Sequence, residues 1–277
     1  MTTITKKTKK KVKPKLIQKM DDWEKPVPFD EGFKFPGGGV RITFEAKSFM
    51  NWIHECLPVT VGMPSIDYTQ VKERGIAIGD NFHFYMRELP MVGMDVPDFG
   101  GYGMFSFLLT PRPTRSSLKI YRRTTAAYVA FSECVSIPVL CDKDLQPWMS
   151  LTPNEILTQR GQLRRAKGHT AIAGLGLGWM ARKILQRKSV TKLTVIEKDQ
   201  SVIDFFGKPL KDDFGDRIEL VNADAYVVNW QTFDVSLWDI WEGYGNAQSD
   251  SKFQTIKRDL IKADKVCFGW GDNIYRD

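Results

Sequence analysis

The stretch Ala171-Ile172-Ala173-Gly174-Leu175-Gly176-Leu177-Gly178 decides the fold. Its first residues close a short apolar run, His169–Ala173, of strand length. Its last residues open a run, Leu177–Arg187, with apolar positions at helical spacing. Glycines between a strand and a helix let the backbone turn tightly and approach a ligand with no Cβ in the way. Such a turn can equally do no more than pack a helix on its sheet.

Working outward, the carboxy-terminal side alternates short apolar strands with helices. Strands are expected at Lys192–Glu197, Ile218–Asn222, Asp234–Trp238 and Lys265–Gly269, and helices at Gln200–Phe206 and Ser251–Lys262. This alternation predicts an α/β fold, a Rossmann-like parallel sheet with helices on both faces. A ligand then belongs beyond the carboxyl ends of the strands. Just upstream, Thr152, Pro153 and Glu155 form a helix start, with Thr152 as N-cap, Pro153 at the first position and Glu155 completing a capping box. That helix should run to about Lys167.

Further upstream the pattern is mixed. Val40–Phe44 reads as a strand, Glu45–Leu57 as an amphipathic helix and Asn81–Leu89 as a strand. Met104–Leu109, Leu118–Arg122, Ala127–Ser132 and Val135–Leu140 read as a β-meander. Three parts are expected: a basic disordered tail at 1–20, a strand-rich α+β amino-terminal domain at 21–149 and the Rossmann-like domain at 150–277. Only five strands are read in the parallel sheet, so the amino-terminal strands or a partner chain should cover its edge.

The charge of +7 is local. Residues 1–19 hold eight lysines and no acid, and the rest holds 32 basic against 33 acidic residues. The tail is either a solubilising arm or a non-specific contact for nucleic-acid phosphates; it has no interleaved aromatics for reading bases. No apolar run reaches the roughly 18 residues that span a bilayer, and the amino terminus lacks an apolar leader run. Cys56, Cys134, Cys141 and Cys267 are scattered, as are His54, His83 and His169, so no metal motif is read. A cytoplasmic protein is expected.

Three acids fall at successive strand ends. Glu197 lies 19 residues after Gly178, where an acid accepts from two ribose hydroxyls. Asp224 follows the third strand and could accept from an adenine amino group, with Ala225 leaving room for the ring. Asp239 follows the fourth. A dinucleotide site is an alternative, since Gly176-Leu177-Gly178-Trp179-Met180-Ala181 satisfies G-x-G-x-x-A. It would leave Asp224 without a role.

This constellation resembles the class I S-adenosylmethionine-dependent methyltransferase superfamily, and within it the spermidine-synthase-like branch. The segment Val195-Ile196-Glu197-Lys198-Asp199-Gln200-Ser201 looks like that branch's acidic strand end. Asp142-Lys143-Asp144-Leu145-Gln146 with Asn154-Glu155 is similar to the segment leading into the first helix of polyamine aminopropyltransferases, and Asp239-Ile240-Trp241-Glu242 stands in the place of their catalytic stretch. The strand-rich region before the glycines is similar to methyltransferase-like proteins of phages and bacteria. The sequence departs from the family at Ile172, Asn154, Thr158 and Trp241, where acids, a tyrosine and a small serine would be expected.

The resemblance implies S-adenosylmethionine as cofactor and in-line transfer to an acceptor it does not name. Gly174, Gly176 and Gly178 would pass under the cofactor, Glu197 would hold the ribose, and Asp224 with Ala225 would receive the adenine. The methionine carboxylate would find backbone donors near Gly174–Gly178. Asp239, with Glu242 second, would orient or deprotonate the acceptor, and Gln146 and Trp241 would lie on the substrate side. Two alternatives stay open: an aminopropyltransferase, and a catalytically silent binding protein of the same fold.

Overall fold

The computed structural model describes residues 40–44, 46–57, 75–89, 127–131, 135–242 and 246–271. Five strands form the parallel sheet: β7 (Gly168–Ala173), β8 (Val190–Glu197), β9 (Ile218–Asn222), β10 (Val235–Trp238) and β11 (Val266–Gly269). Their spatial order is β9-β8-β7-β10-β11, and every pairing is parallel. The order reverses at β7, so β8 and β10 leave it in opposite directions, which is the switch point of a Rossmann-like sheet.

The helices after these strands are α3 (Trp179–Leu185), α4 (Gln200–Val202), which runs through a π-helical turn at Ile203–Gly207 into α5 (Lys208–Phe214), and then α6 (Asn246–Ser249) and α7 (Ser251–Lys262). Alternate residues of the strands enter two separate cores. Ile172, Leu193, Val195 and Leu237 face one, with Trp179, Ile184 and Phe206. Ala171, Ala173, Ile196 and Trp238 face the other, with Trp230, Phe253 and Leu260. Apolar side chains therefore cover both faces of the sheet, as a buried parallel sheet requires.

The first of these cores continues into the amino-terminal part. There β2 (Ile76–Ile78), β3 (Phe82–Leu89), β5 (Val135–Asp142) and β6 (Pro147–Ser150) form an antiparallel sheet in that order. Helix α1 (Ala46–Cys56) packs against it, and Trp52 of α1 meets Trp179 at 5.9 Å between ring centroids. Phe84 of β3 meets Phe206 edge-on at 5.6 Å. Asn81 Nδ2 donates to Asp199 Oδ2 at 2.8 Å, which ties the β2–β3 turn to the carboxyl end of β8.

The expected meander is not the observed arrangement. Strand β4 (Ala127–Phe131) pairs in parallel with β1 (Val40–Phe44), and β5 pairs with β3 and β6. Local alternation marks strands but carries no information about which strand lies beside which. Nor do these strands extend the parallel sheet: among the described residues they form sheets of their own. The runs Met104–Leu109 and Leu118–Arg122 lie outside the described residues. Helix α2 (Pro153–Arg165) has the expected N-cap and first residue, with Thr152 Oγ1 accepting from the Glu155 N–H at 3.3 Å, but the Glu155 carboxylate reaches back to Ser150, which departs from the expected capping box.

Candidate functional site at the carboxyl ends of the strands

Backbone hydrogen bonds hold the strand ends side by side beyond the ladder itself. Gly174 N–H donates to Ile196 O, Ala223 N–H to Glu197 O and Asp239 N–H to Ala173 O, at 2.8–3.0 Å. The glycine turn and the three acids thus share one edge.

Within the turn the glycines have separate tasks. Gly174 has φ of 88°, and a Cβ there would run into the backbone carbonyl of Asp239, so glycine is what lets the β7 and β10 ends meet. Gly176 has φ of 51°, and a Cβ there would overlap Sδ of Met149 on β6. Gly178 is the N-cap of α3.

Glu197 is anchored by both carboxylate oxygens. Oε2 accepts from the Leu175 N–H at 2.8 Å and Oε1 from the Asp199 N–H at 2.9 Å. Burial raises its pKa above the ordinary carboxylate value, against the pull of those N–H groups. The Lys198 N–H also acts on this carboxylate, and the group retains lone-pair capacity to prop the turn and still accept from a hydroxyl. Asp224 accepts from the Tyr226 N–H at 2.9 Å and pairs with Lys198 at 3.5 Å, contacts that hold its pKa low. Ala225 is buried, and its carbonyl accepts from the Trp230 indole at 2.7 Å.

Asp239 does not stand alone. Gln159 Nε2 of α2 donates to its Oδ2 at 2.5 Å, and Gln162 Nε2 donates to the carbonyl of neighbouring Trp238 at 3.3 Å. The Oε1 atoms of both glutamines are buried and lack a hydrogen-bond partner among the described residues. One turn before Gln159 lies Glu155. Its Oε2 accepts from Ser150 N–H at 3.0 Å and Ser150 Oγ–H at 3.1 Å. Burial pushes the Asp239 carboxyl up to about 7, opposed by the Gln159 amide. Burial and then the charge of Asp239 push Glu155 up to about 8. Both carboxyls therefore take up a proton far above the ordinary carboxylate range, which suits groups that must take a proton and release it near neutral pH.

The remaining candidates sit apart from this pair. Trp241 Nε1 donates to Asp250 Oδ2 at 2.9 Å, and its ring meets Phe253 edge-on at 5.0 Å. Asp250 also receives the Tyr226 hydroxyl and caps α7. The indole is therefore fixed within an aromatic cluster. Glu242 is exposed, and Gln146 is exposed at the tip of the β5–β6 hairpin. Sequence reasoning missed Gln159, Gln162 and Met149 and saw Glu155 as a cap and as part of the segment resembling that of the aminopropyltransferases, with no site role of its own. The available signal was the spacing of Glu155, Gln159 and Gln162, which places three polar groups on one helix face.

The expected backbone donors for a methionine carboxylate are mostly engaged. Of the five amides from Gly174 to Gly178, four donate within the protein, to Ile196 O, Glu197 Oε2, Met149 Sδ and Leu175 O. A strand-to-helix turn this tight uses its own N–H groups to hold its shape.

No family model matches the chain, and no curated protein does. Solved structures similar to part of it include spermidine synthase from Thermotoga maritima, with 21% identity over 46% of this chain and 49% of that one and a TM-score of 0.33. A dimethyladenosine transferase from Plasmodium falciparum has 19% identity over 42% and 39%, with a TM-score of 0.32. TrmK of M. capricolum, in complex with S-adenosylhomocysteine, has 14% identity over 36% and 44%, with a TM-score of 0.27. The chain spans less than half the length of each of these structures.

Proposed function

We propose that this protein is an S-adenosylmethionine-dependent methyltransferase whose cofactor lies along the carboxyl edge of the parallel sheet. The observation that carries this reading is the placement of Glu197, Asp224 and Asp239 at three neighbouring strand ends around the glycine turn. The residues fit an adenosyl group: Glu197 has lone pairs to spare for a ribose, and Asp224 accepts at the next strand end. The cofactor supplies an activated methyl group on a sulfonium, and the protein supplies orientation and a place for the acceptor's proton. Holding the two partners in line can account for about 7–11 kcal/mol of barrier. Asp239 takes the proton, and its burial keeps its affinity for that proton near neutrality.

The second carboxylate favours one alternative, aminopropyl transfer from decarboxylated S-adenosylmethionine to a polyamine. Two acids at the acceptor position suit a cationic amine better than Asp239 alone would. Calorimetric titration with S-adenosylmethionine, its decarboxylated form and NAD separates the readings. The methyltransferase reading expects S-adenosylmethionine to bind tightest and turnover to be lost in Asp239→Asn. Tighter binding of the decarboxylated form with putrescine-dependent turnover would establish polyamine synthesis instead, and binding of NAD alone would establish a dinucleotide enzyme.

The lysines of residues 1–19 support a further part of the proposal, a salt-sensitive contact with nucleic-acid phosphates. In this reading the arm raises the local concentration of a polyanion and contributes no sequence preference.

A further inference from the structure

Met149 lies directly against the glycine turn. Its Sδ accepts from the Leu177 N–H at 3.3 Å, and it fills the space a Cβ of Gly176 would need. A thioether is a weak acceptor, on a side chain with three rotatable bonds that readily repacks. The strand that carries it is short and pairs with β5 at only three positions, with a register shift between Leu140 and Cys141. Met149 is half-buried, so there is solvent for it to move toward. A hydroxyl or carboxylate oxygen is the better partner for the amide it occupies.

We propose that Met149 gates the glycine turn, closing over Gly176 and the Leu177 amide in the free protein and swinging away when a ligand takes their place. The gate is joined to the acceptor side. Its neighbour Ser150 holds Glu155 through both its N–H and its hydroxyl, and the charge of Asp239 acts on Glu155. Movement of β6 therefore alters the support of the buried carboxylate pair. Loading the turn and readying the acid pair become one event, with the β5–β6 hairpin as the part that moves.

This inference rests on the adenosyl-binding reading, and one experiment tells the two apart. The probe is S-adenosylhomocysteine, titrated calorimetrically into the wild-type protein and into Met149→Ala and Met149→Leu. A closed gate lowers apparent affinity by the fraction of molecules in which it stands open. Met149→Ala should therefore bind at least about threefold tighter, and Met149→Leu, which keeps bulk but loses the sulfur, tighter by less. In the wild-type protein labelled with 13C-methyl methionine, the Met149 resonance should move on ligand addition. Binding by the wild type with equal or weaker affinity in Met149→Ala would overturn the gate and leave the cofactor reading standing. An unmoved Met149 resonance at saturation would do the same without reliance on any variant. Failure of all three proteins to bind would overturn both.

Discussion

Replacing Glu197 with Gln tests the idea that one carboxylate both builds the glycine turn and serves its ligand. The two carboxylate oxygens accept from the N–H groups of Leu175 and Asp199 at 2.8 and 2.9 Å. Glutamine offers one oxygen and one NH2 group, so one backbone donor keeps a neutral partner and the other faces a donor. A hydrogen bond to a charged group contributes about 1.5–3 kcal/mol, and an unsatisfied donor costs about 1–3 kcal/mol. The carboxylate is itself penalised by burial, which its raised pKa records, so part of that loss is recovered. A net destabilisation of roughly 2–4 kcal/mol remains, or roughly 3–7 °C in melting temperature for a chain of this size.

Scanning calorimetry at pH 7 measures the first effect, and titration with S-adenosylhomocysteine measures the second. If Glu197 also holds a ribose, affinity should fall about 10- to 150-fold in protein that is still folded at the assay temperature. A melting temperature within a degree of wild type would refute the claim that the carboxylate supports the turn. A lowered melting temperature with unchanged affinity would make Glu197 a structural prop alone.

The other predictions concern charge and domain structure. Asp239, Glu155 and Glu197 have pKa values raised by folding, so the folded chain binds more protons than the unfolded one from about pH 4 up to 7–8, and stability should decline as pH rises through that range. The melting temperature of Asp239→Asn should decline less between about pH 6 and 8 than that of wild type, and a steeper decline would contradict the raised pKa of Asp239. Asp224 and Asp250 have lowered values, so their contribution should vanish only as pH falls below about 4. Deleting residues 1–19 should leave the melting temperature unchanged and abolish retention on heparin at low salt; a loss of several degrees would show that the segment is packed. Residues 150–277 alone should bind a hydrophobic dye and associate, because Trp179 and Phe206 lose Trp52 and Phe84; a monomer with a cooperative melt would refute the shared core.

The parallel sheet was legible because each strand is a short apolar run bounded by turn residues, and such runs need no partner to be recognised. Ile218–Asn222 and Ser251–Lys262 fall where their periodicity puts them. Strand β6 was not legible: Pro147-Trp148-Met149-Ser150 lacks alternation, and it is a strand because β5 stands beside it. Glu197, Asp224 and Asp239 could be placed at strand ends from spacing. What they contact could not, since the partner of Asp239 is Gln159, 80 residues earlier in the chain. Only the packing of α2 over the end of β10 brings those two together.

Glu155 shows why the proposed acceptor side escaped notice. A capping-box glutamate accepts from the N–H of its own N-cap residue, in or near solvent. Here the carboxylate reaches Ser150 instead, two residues further back, and lies in the field of Asp239. The N-cap itself is served by the Thr152 hydroxyl, so the helix start does not require the acid to be buried. Burying it opposes folding at neutral pH, since its charged form is the disfavoured one. Two buried amide oxygens without donors among the described residues, on Gln159 and Gln162, add to that opposition. A fold that needed only a cap and a packed helix would be more stable with apolar residues at these three positions. Their concentration at the strand end that carries Asp239 is what a site for proton transfer requires: acids whose pKa values lie near the working pH, and hydrogen-bond acceptors left for a ligand to satisfy.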